Sequence, residues 1–204
     1  MPKVGSRKSG EPVWELAHLF PYQGDWSVDE YLTLNTNHLI EYVDGYLEFL
    51  PMPTLSHQDI LAYLYEMLKL FVTAASLGKV YFAPLRVRLT PKEYREPDIV
   101  FIANARLEQT TGDYPLGADL VMEIVSGGPE DRVRDLEIKP EIYAEAGIPE
   151  YWIVDPKDEV IIVLHLEKDT YAEHGRFTAG DIATSALLPG FSVLVADVWA
   201  AAQR

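Results

Sequence analysis

Two acidic residues stand in unusually apolar company. Asp98 opens the run Asp98-Ile99-Val100-Phe101-Ile102, directly after Glu96-Pro97, and Glu123 sits inside Leu120-Val121-Met122-Glu123-Ile124-Val125. Both runs have the composition of buried strands. A carboxylate inside such a strand is costly unless its charge is compensated. Two on neighbouring strands would offer the oxygen ligands that a hard divalent cation prefers. Held about 4 Å apart without a cation, they would repel by roughly 4 kcal/mol at an effective dielectric near 20. The pair therefore needs a metal, a shared proton or a basic neighbour. A bound Mg²⁺ would polarise a scissile phosphate and activate a water. The plainer alternative makes Asp98 a turn residue after Pro97 and pairs Glu123 with an arginine.

Several elements must position these acids. Residues 1–24 read as a lead-in arm, partly mobile, in which Val13-Trp14-Glu15-Leu16 could dock. Residues 25–204 read as a single domain. Ser27 with Glu30 forms a capping box for a short helix through Leu34. His38 to Leu50 reads as a hairpin around Asp44-Gly45. Ser56 is expected to cap a long helix through Ala75, with Ile60, Leu61, Leu64 and Leu68 on its apolar stripe. Val80 to Leu89 reads as one half-buried strand, and Asn104 to Gly117 as a polar loop. A helix ends near Ala146, with Gly147 as its C′ residue, and Tyr151-Trp152-Ile153-Val154 is a buried strand. Val160 to Leu166, Tyr171 to Phe177 and Phe191 to Val195 make a β-rich finish. This order suits an α/β (α+β) domain with a mixed central β-sheet flanked by helices and a β-rich C-terminal extension.

The same residues carry a resemblance. Pro97-Asp98, then Glu123-Ile124-Val125, then a nearby lysine resembles the PD-(D/E)XK nuclease superfamily, the restriction-endonuclease-like fold. More closely, the chain is similar to the restriction endonuclease family called Uma-two. The further matching pieces are Glu41-Tyr42-Val43-Asp44-Gly45, His57, Asp135 with Lys139 and Tyr143, and Gly147 to Pro156. The resemblance implies a restriction-endonuclease-like fold and hydrolysis of DNA phosphodiester bonds. It implies Asp98 and Glu123 as catalytic ligands of Mg²⁺ or Mn²⁺. The superfamily's lysine normally lies two residues after the glutamate, where this chain has Val125. The family supplies that lysine from the next helix, which makes Lys139 the third catalytic candidate, with Asp135 and Tyr143 one turn to either side. Lys139 would stabilise charge on the phosphate or orient the attacking water. Pro140 complicates this, because proline disfavours the α conformation in the residue before it. Either the helix begins at Pro140 or it is kinked there. A surface lysine paired with Asp135 or Glu137 is the alternative. In the family pattern Glu41 approaches the metal site; otherwise it is an exposed hairpin acid. His57 could contact phosphate or a water, or serve in packing or capping. Tyr143 could hydrogen-bond near the site or belong to the core.

Composition restricts what partners such a site can have. The chain has 204 residues, 48% of them hydrophobic, which suits one folded domain with a substantial core. No apolar run is long enough to span a membrane and no signal-type segment follows the first basic residues, so a cytoplasmic location is expected. The absence of cysteine excludes disulfides and thiolate metal sites. The net charge of −15 counts against a nuclease, since phosphate contacts dominate nucleic-acid affinity. A basic strip containing Arg86, Arg88, Arg132 or Arg134 beside the acids would favour DNA. An acidic rim would favour a non-catalytic interaction or assembly module on the same fold. A metal-dependent enzyme acting on a small phosphate ester is a third reading, and a homodimer is left open.

Overall fold

The computed structural model describes residues 20–36, 38–126 and 128–203. Most of the lead-in arm, including Val13 to Leu16, lies outside the described residues. The chain runs α1 (Val28–Thr33), β1 (Ile40–Val43), β2 (Tyr46–Phe49), α2 (Leu55–Ala74), β3 (Gly78–Phe82), β4 (Val87–Thr90), β5 (Glu93–Arg95) and β6 (Ile99–Ala103). It continues through α3 (Asn104–Gln109), β7 (Leu120–Ile124), α4 (Pro129–Val133), a π turn (Arg134–Ile138), α5 (Lys139–Glu145) and β8 (Glu150–Asp155). The last elements are β9 (Val160–Glu167), β10 (Thr170–Phe177), β11 (Ile182–Thr184), β12 (Ser192–Leu194) and α6 (Val195–Ala201).

The central sheet has six strands in the order β10-β9-β8-β7-β6-β3. Only β7 and β8 pair in parallel within it. Parallel neighbours need a crossover, and the helical stretch α4 to α5 provides it. Strand side chains alternate between faces. Leu120, Met122 and Ile124 of β7 therefore join Ile60, Leu64 and Trp199 in one core under α2 and α6. Val121 and Val125 point the other way and pack with Tyr143, Tyr151 and Ile153 under the crossover helix. Glu123 lies between Val121 and Val125 and so faces that second side. A four-stranded sheet, β2-β1-β5-β4, stands apart with its own small core of Tyr31, Ile40, Tyr42, Leu47 and Tyr94.

Local chemistry explains the hairpin and the first helix. Ser27 and Glu30 satisfy each other's backbone N–H groups, completing the capping box. Asp44 and Gly45 both take positive φ, +42° and +92°, the backbone of a two-residue hairpin turn. Gly45 is needed for a second reason, since a Cβ there would overlap the Gly24 carbonyl. That carbonyl's own residue donates its N–H to Gly45 O at 2.8 Å, and Gln23 bonds both backbone groups of Leu47. The end of the lead-in is thus tied to the hairpin.

The structure corrects four local expectations. Thr54 caps α2 in place of Ser56, because the Thr54 hydroxyl accepts the His57 N–H. The stretch from Val80 to Leu89 is two strands in different sheets, separated at Pro84, whose missing N–H interrupts a ladder. The polar loop after Ala103 begins with α3, which Arg106 fastens to Asp119. Strands β5 and β11 and helix α6 have too few periodic residues to announce themselves. No helix among the described residues is long and apolar enough to cross a membrane.

Candidate active site

Strands β6 and β7 run antiparallel with Ile99 opposite Met122. One further step in that register sets Asp98 opposite Glu123, on the face turned toward the crossover helix. Asp98 Oδ2 accepts the Ile124 N–H at 2.8 Å and lies 3.2 Å from His57 Nε2. Glu123 Oε1 accepts the Tyr143 hydroxyl at 2.6 Å and is 2.8 Å from Lys139 Nζ. The other oxygens, Asp98 Oδ1 and Glu123 Oε2, have no hydrogen-bond partner among the described residues, and neither is sealed from solvent. Both acids line a small cleft with His57, Ser126, Arg134 and Lys139.

Lys139 reaches Glu123 through an unusual helix. The Lys139 N–H bonds Arg134 O, five residues back, which makes the turn before it a π turn. Pro140 explains this turn. Its ring would strike the carbonyl four residues back in a regular helix, and it has no N–H to give. With the turn widened, Lys139 keeps helical angles (φ −61°, ψ −36°) although proline follows it. The Asp135 carbonyl then lacks a backbone donor, and the Tyr151 hydroxyl supplies one at 2.9 Å. Asp135, Lys139 and Tyr143 thereby share the side facing β7. Lys139 is buried and also lies 3.3 Å from Asp135 Oδ1. It is not a surface lysine.

The charged groups of this pocket act strongly on one another. Burial pushes the Glu123 carboxyl up; Lys139 opposes this, while Asp98, Asp135 and Glu41 add to the rise. Burial pulls the Lys139 ammonium down, but Glu123, Glu41 and Asp135 outweigh it and keep it protonated. Burial and the Glu123 charge raise the Tyr143 hydroxyl well above its ordinary value, so it remains a donor. His57 is raised too: burial works against its charge, and Asp98 and Glu123 prevail. Its Nδ1 has no partner among the described residues.

Glu41 belongs to the smaller sheet and is fully buried, not an exposed hairpin acid. It accepts Arg95 Nη1 at 2.8 Å and the Glu96 N–H at 3.0 Å. Burial raises its carboxyl, and Lys139 and Arg95 more than reverse that. Arg95 also holds Glu93 and Glu48. Glu41 and Arg95 therefore bond β1 to β5 within the smaller sheet, and Glu41 also holds the chain at Glu96, two residues before Asp98. Sequence reasoning missed Arg95 and the role of Glu96, whose carboxylate takes Arg86 at 3.4 Å. The local sequence, Lys92-Glu93-Tyr94-Arg95-Glu96, is charged at four of its five positions and singles out neither residue.

The arginines considered for a basic strip are occupied. Arg86 bonds Glu96 and lies over the Tyr31 ring, Arg132 bonds Asp155 and Asp158, and Arg134 bonds Asp131, Asp135 and Glu48. Arg88 does not line this cleft. The lining carries the acids Glu96, Asp98, Glu123 and Asp135 against the permanent cations Arg134 and Lys139.

A family model described as "Putative restriction endonuclease", named Uma2, matches residues 28–198. The chain belongs to this family. A crystal structure of a protein described as a putative nuclease from Anabaena variabilis is similar in fold, with a TM-score of 0.71 at 18% identity. The match covers 87% of this chain and 99% of that one. The fold is accordingly restriction-endonuclease-like, a mixed sheet flanked by helices. No curated protein matches the chain. Asp98, Glu123, Lys139 and His57 meet in the cleft, and Tyr143 reaches it through its bond to Glu123.

A divalent cation fits the donor set. Mg²⁺ commonly takes one or two carboxylates and completes its octahedron with waters and phosphate oxygens. Asp98 and Glu123 each offer one open oxygen to a cleft with an excess of acids. Among the described residues, no group of three or more His, Asp and Glu converges as a metal-binding set. Any further ligands must come from water, main chain or substrate.

Proposed function

We propose that this chain is a metal-dependent nuclease that hydrolyses DNA phosphodiester bonds at the Asp98–Glu123 cleft. One observation carries the reading: two in-register carboxylates each present an unpartnered oxygen beside a buried, protonated lysine. Asp98 and Glu123 would hold Mg²⁺ or Mn²⁺. When bound, that ion would polarise the scissile phosphate and lower the pKa of an attacking water. Asp98 is kept in aim by the Ile124 N–H and His57. Tyr143 and Lys139 grip Glu123 by one oxygen, which leaves the other turned outward. Lys139 stands where negative charge grows on the phosphate, with Asp135 and Glu41 keeping it charged. The water oxygen bonds to phosphorus as the bond to the leaving oxygen breaks, giving a phosphate monoester and a hydroxyl.

The test is Mn²⁺-dependent cleavage of single-stranded and duplex DNA, with Asp98→Ala as control. Cleavage by the wild type that Asp98→Ala abolishes supports the reading. Equal cleavage by both proteins would sink it. A second reading, a non-catalytic interaction module, is favoured by the acid-rich lining and the occupied arginines. It predicts no cleavage under any metal.

A further inference from the structure

The catalytic cleft adjoins a larger one, the two sharing Pro51, Pro53, His57, Ile124 and Ser126. One wall of the larger cleft is the segment Pro51-Met52-Pro53 between β2 and α2, with Met52 64% exposed. Lys157, just past β8, stands on the rim. Of the permanent cations lining the two clefts, Arg134 and Lys139 are held in ion pairs, whereas Lys157 has none among the described residues.

A duplex presents two rows of phosphates, and its binding is dominated by cations that neutralise them. These clefts have one unpaired cation, on one rim, facing an apolar wall. Single strands are held differently, by a short cationic track and a platform against which an unstacked base can lie. Methionine, polarisable and adaptable, forms favourable contacts with aromatic rings. We propose, resting on the nuclease reading above, that the substrate is a single DNA strand. Its scissile phosphate enters at Asp98 and Glu123, a neighbouring base lies on Pro51-Met52-Pro53, and the next phosphate meets Lys157. The apolar wall reaches the reacting centre through Pro51 and Pro53, which line both clefts.

The experiment compares one labelled oligonucleotide, single-stranded or annealed to its complement, by Mn²⁺-dependent cleavage and by fluorescence anisotropy. Wild-type protein is set beside Met52→Asp and Lys157→Glu, both at exposed positions, with melting curves confirming the fold. The single strand should bind and be cut about tenfold better than the duplex, with a shallow salt dependence of about −0.7 in log–log slope per phosphate neutralised. Each variant should raise KM at least about fivefold, with kcat little changed, the effect expected on losing a contact of about 1 kcal/mol or more to a base or a phosphate. Duplex cleaved as well as single strand, or variants that match wild type, would overturn the proposal while leaving the nuclease reading standing. Single-strand binding that the variants weaken, with no cleavage, would overturn the nuclease reading and with it the proposal that the strand is a substrate, leaving a strand-binding surface. No binding and no cleavage would overturn both.

Discussion

Glu123 and Glu150 are both buried on the parallel pair β7 and β8, and they are finished differently. Glu150 Oε1 accepts Trp152 Nε1 and the Ser185 hydroxyl, each at 2.6 Å. Its Oε2 accepts the N–H groups of Ala186 and Leu187 at 2.6 and 2.7 Å. Both oxygens are fully engaged, and no basic side chain bridges them among the described residues. Such an acid fastens the chain after β11 onto the sheet and has nothing left to offer a ligand. Glu123 has one oxygen gripped by Tyr143 and Lys139 and one left open to a cleft. Burial alone therefore does not mark a functional acid; what separates the two is whether the second oxygen has a protein partner.

The largest expected effect breaks Glu123 itself. Glu123→Gln or Asp98→Asn should lower DNA cleavage by about a thousandfold or more, equivalent to about 4 kcal/mol of barrier. Melting temperature should hardly fall, because Lys139 retains Asp135 and Glu41. Glu150→Ala should do the reverse. It strands four donors, two of them buried, and should cost about 3–4 kcal/mol of stability by urea denaturation, with cleavage per folded molecule unchanged. A Glu150 variant that lost activity while staying folded would collapse the distinction drawn here.

Lys139→Met comes next, with an expected loss of about a hundredfold in kcat, the usual effect of one well-aimed donor. Lys139→Arg should rescue only part of it, since a forked guanidinium does not replace a compact ammonium. Mn²⁺ itself should stabilise the wild type by about 2.7 kcal/mol at a hundred times its Kd. That increment should vanish in the Asp98→Asn/Glu123→Gln double variant and survive in Glu150→Gln; an increment untouched by the double variant places the cation elsewhere. The smallest effect belongs to Glu41. Its folded carboxyl titrates below its unfolded value of about 4.3, so its contribution is full above that pH and disappears as pH falls through the folded pKa. Glu41→Gln should cost about 1–2 kcal/mol at neutral pH, because Arg95 keeps Glu93 and Glu48. Wild type and variant should converge in strong acid; parallel curves down to low pH would show that the carboxylate charge plays no part.

How much of this was legible depended on whether the signal was local. The position of Asp98 beside Glu123 could be read because each acid interrupts or opens an apolar strand. The hairpin could be read because Asp44-Gly45 admits positive φ. Lys139, Tyr143 and Glu41 were named by resemblance to a family, not by periodicity. The Arg95–Glu41 bond could not be read at all, since its partners are 54 residues apart and nothing in either neighbourhood reports the other. The strand break at Pro84 was missed by treating Val80 to Leu89 as one half-buried strand. At Pro140 the reading found the conflict between lysine and proline but not its resolution, which depends on a hydroxyl donated from another strand.

The π turn before Pro140 also constrains how this gene can change length. Deleting one residue between Arg134 and Ile138 would restore regular helical bonding upstream and rotate everything before it by about 100° relative to Lys139. Asp135 would leave the lysine, the Tyr151 hydroxyl would lose its carbonyl, and the proline ring would meet the backbone the wider turn now avoids. Inserting a residue would displace the same groups in the opposite sense. Point substitutions on the exposed side of this segment, at Glu137 for instance, face no such penalty. Descendants of this sequence should therefore vary in side chain at the exposed positions of this segment while keeping all five residues in number.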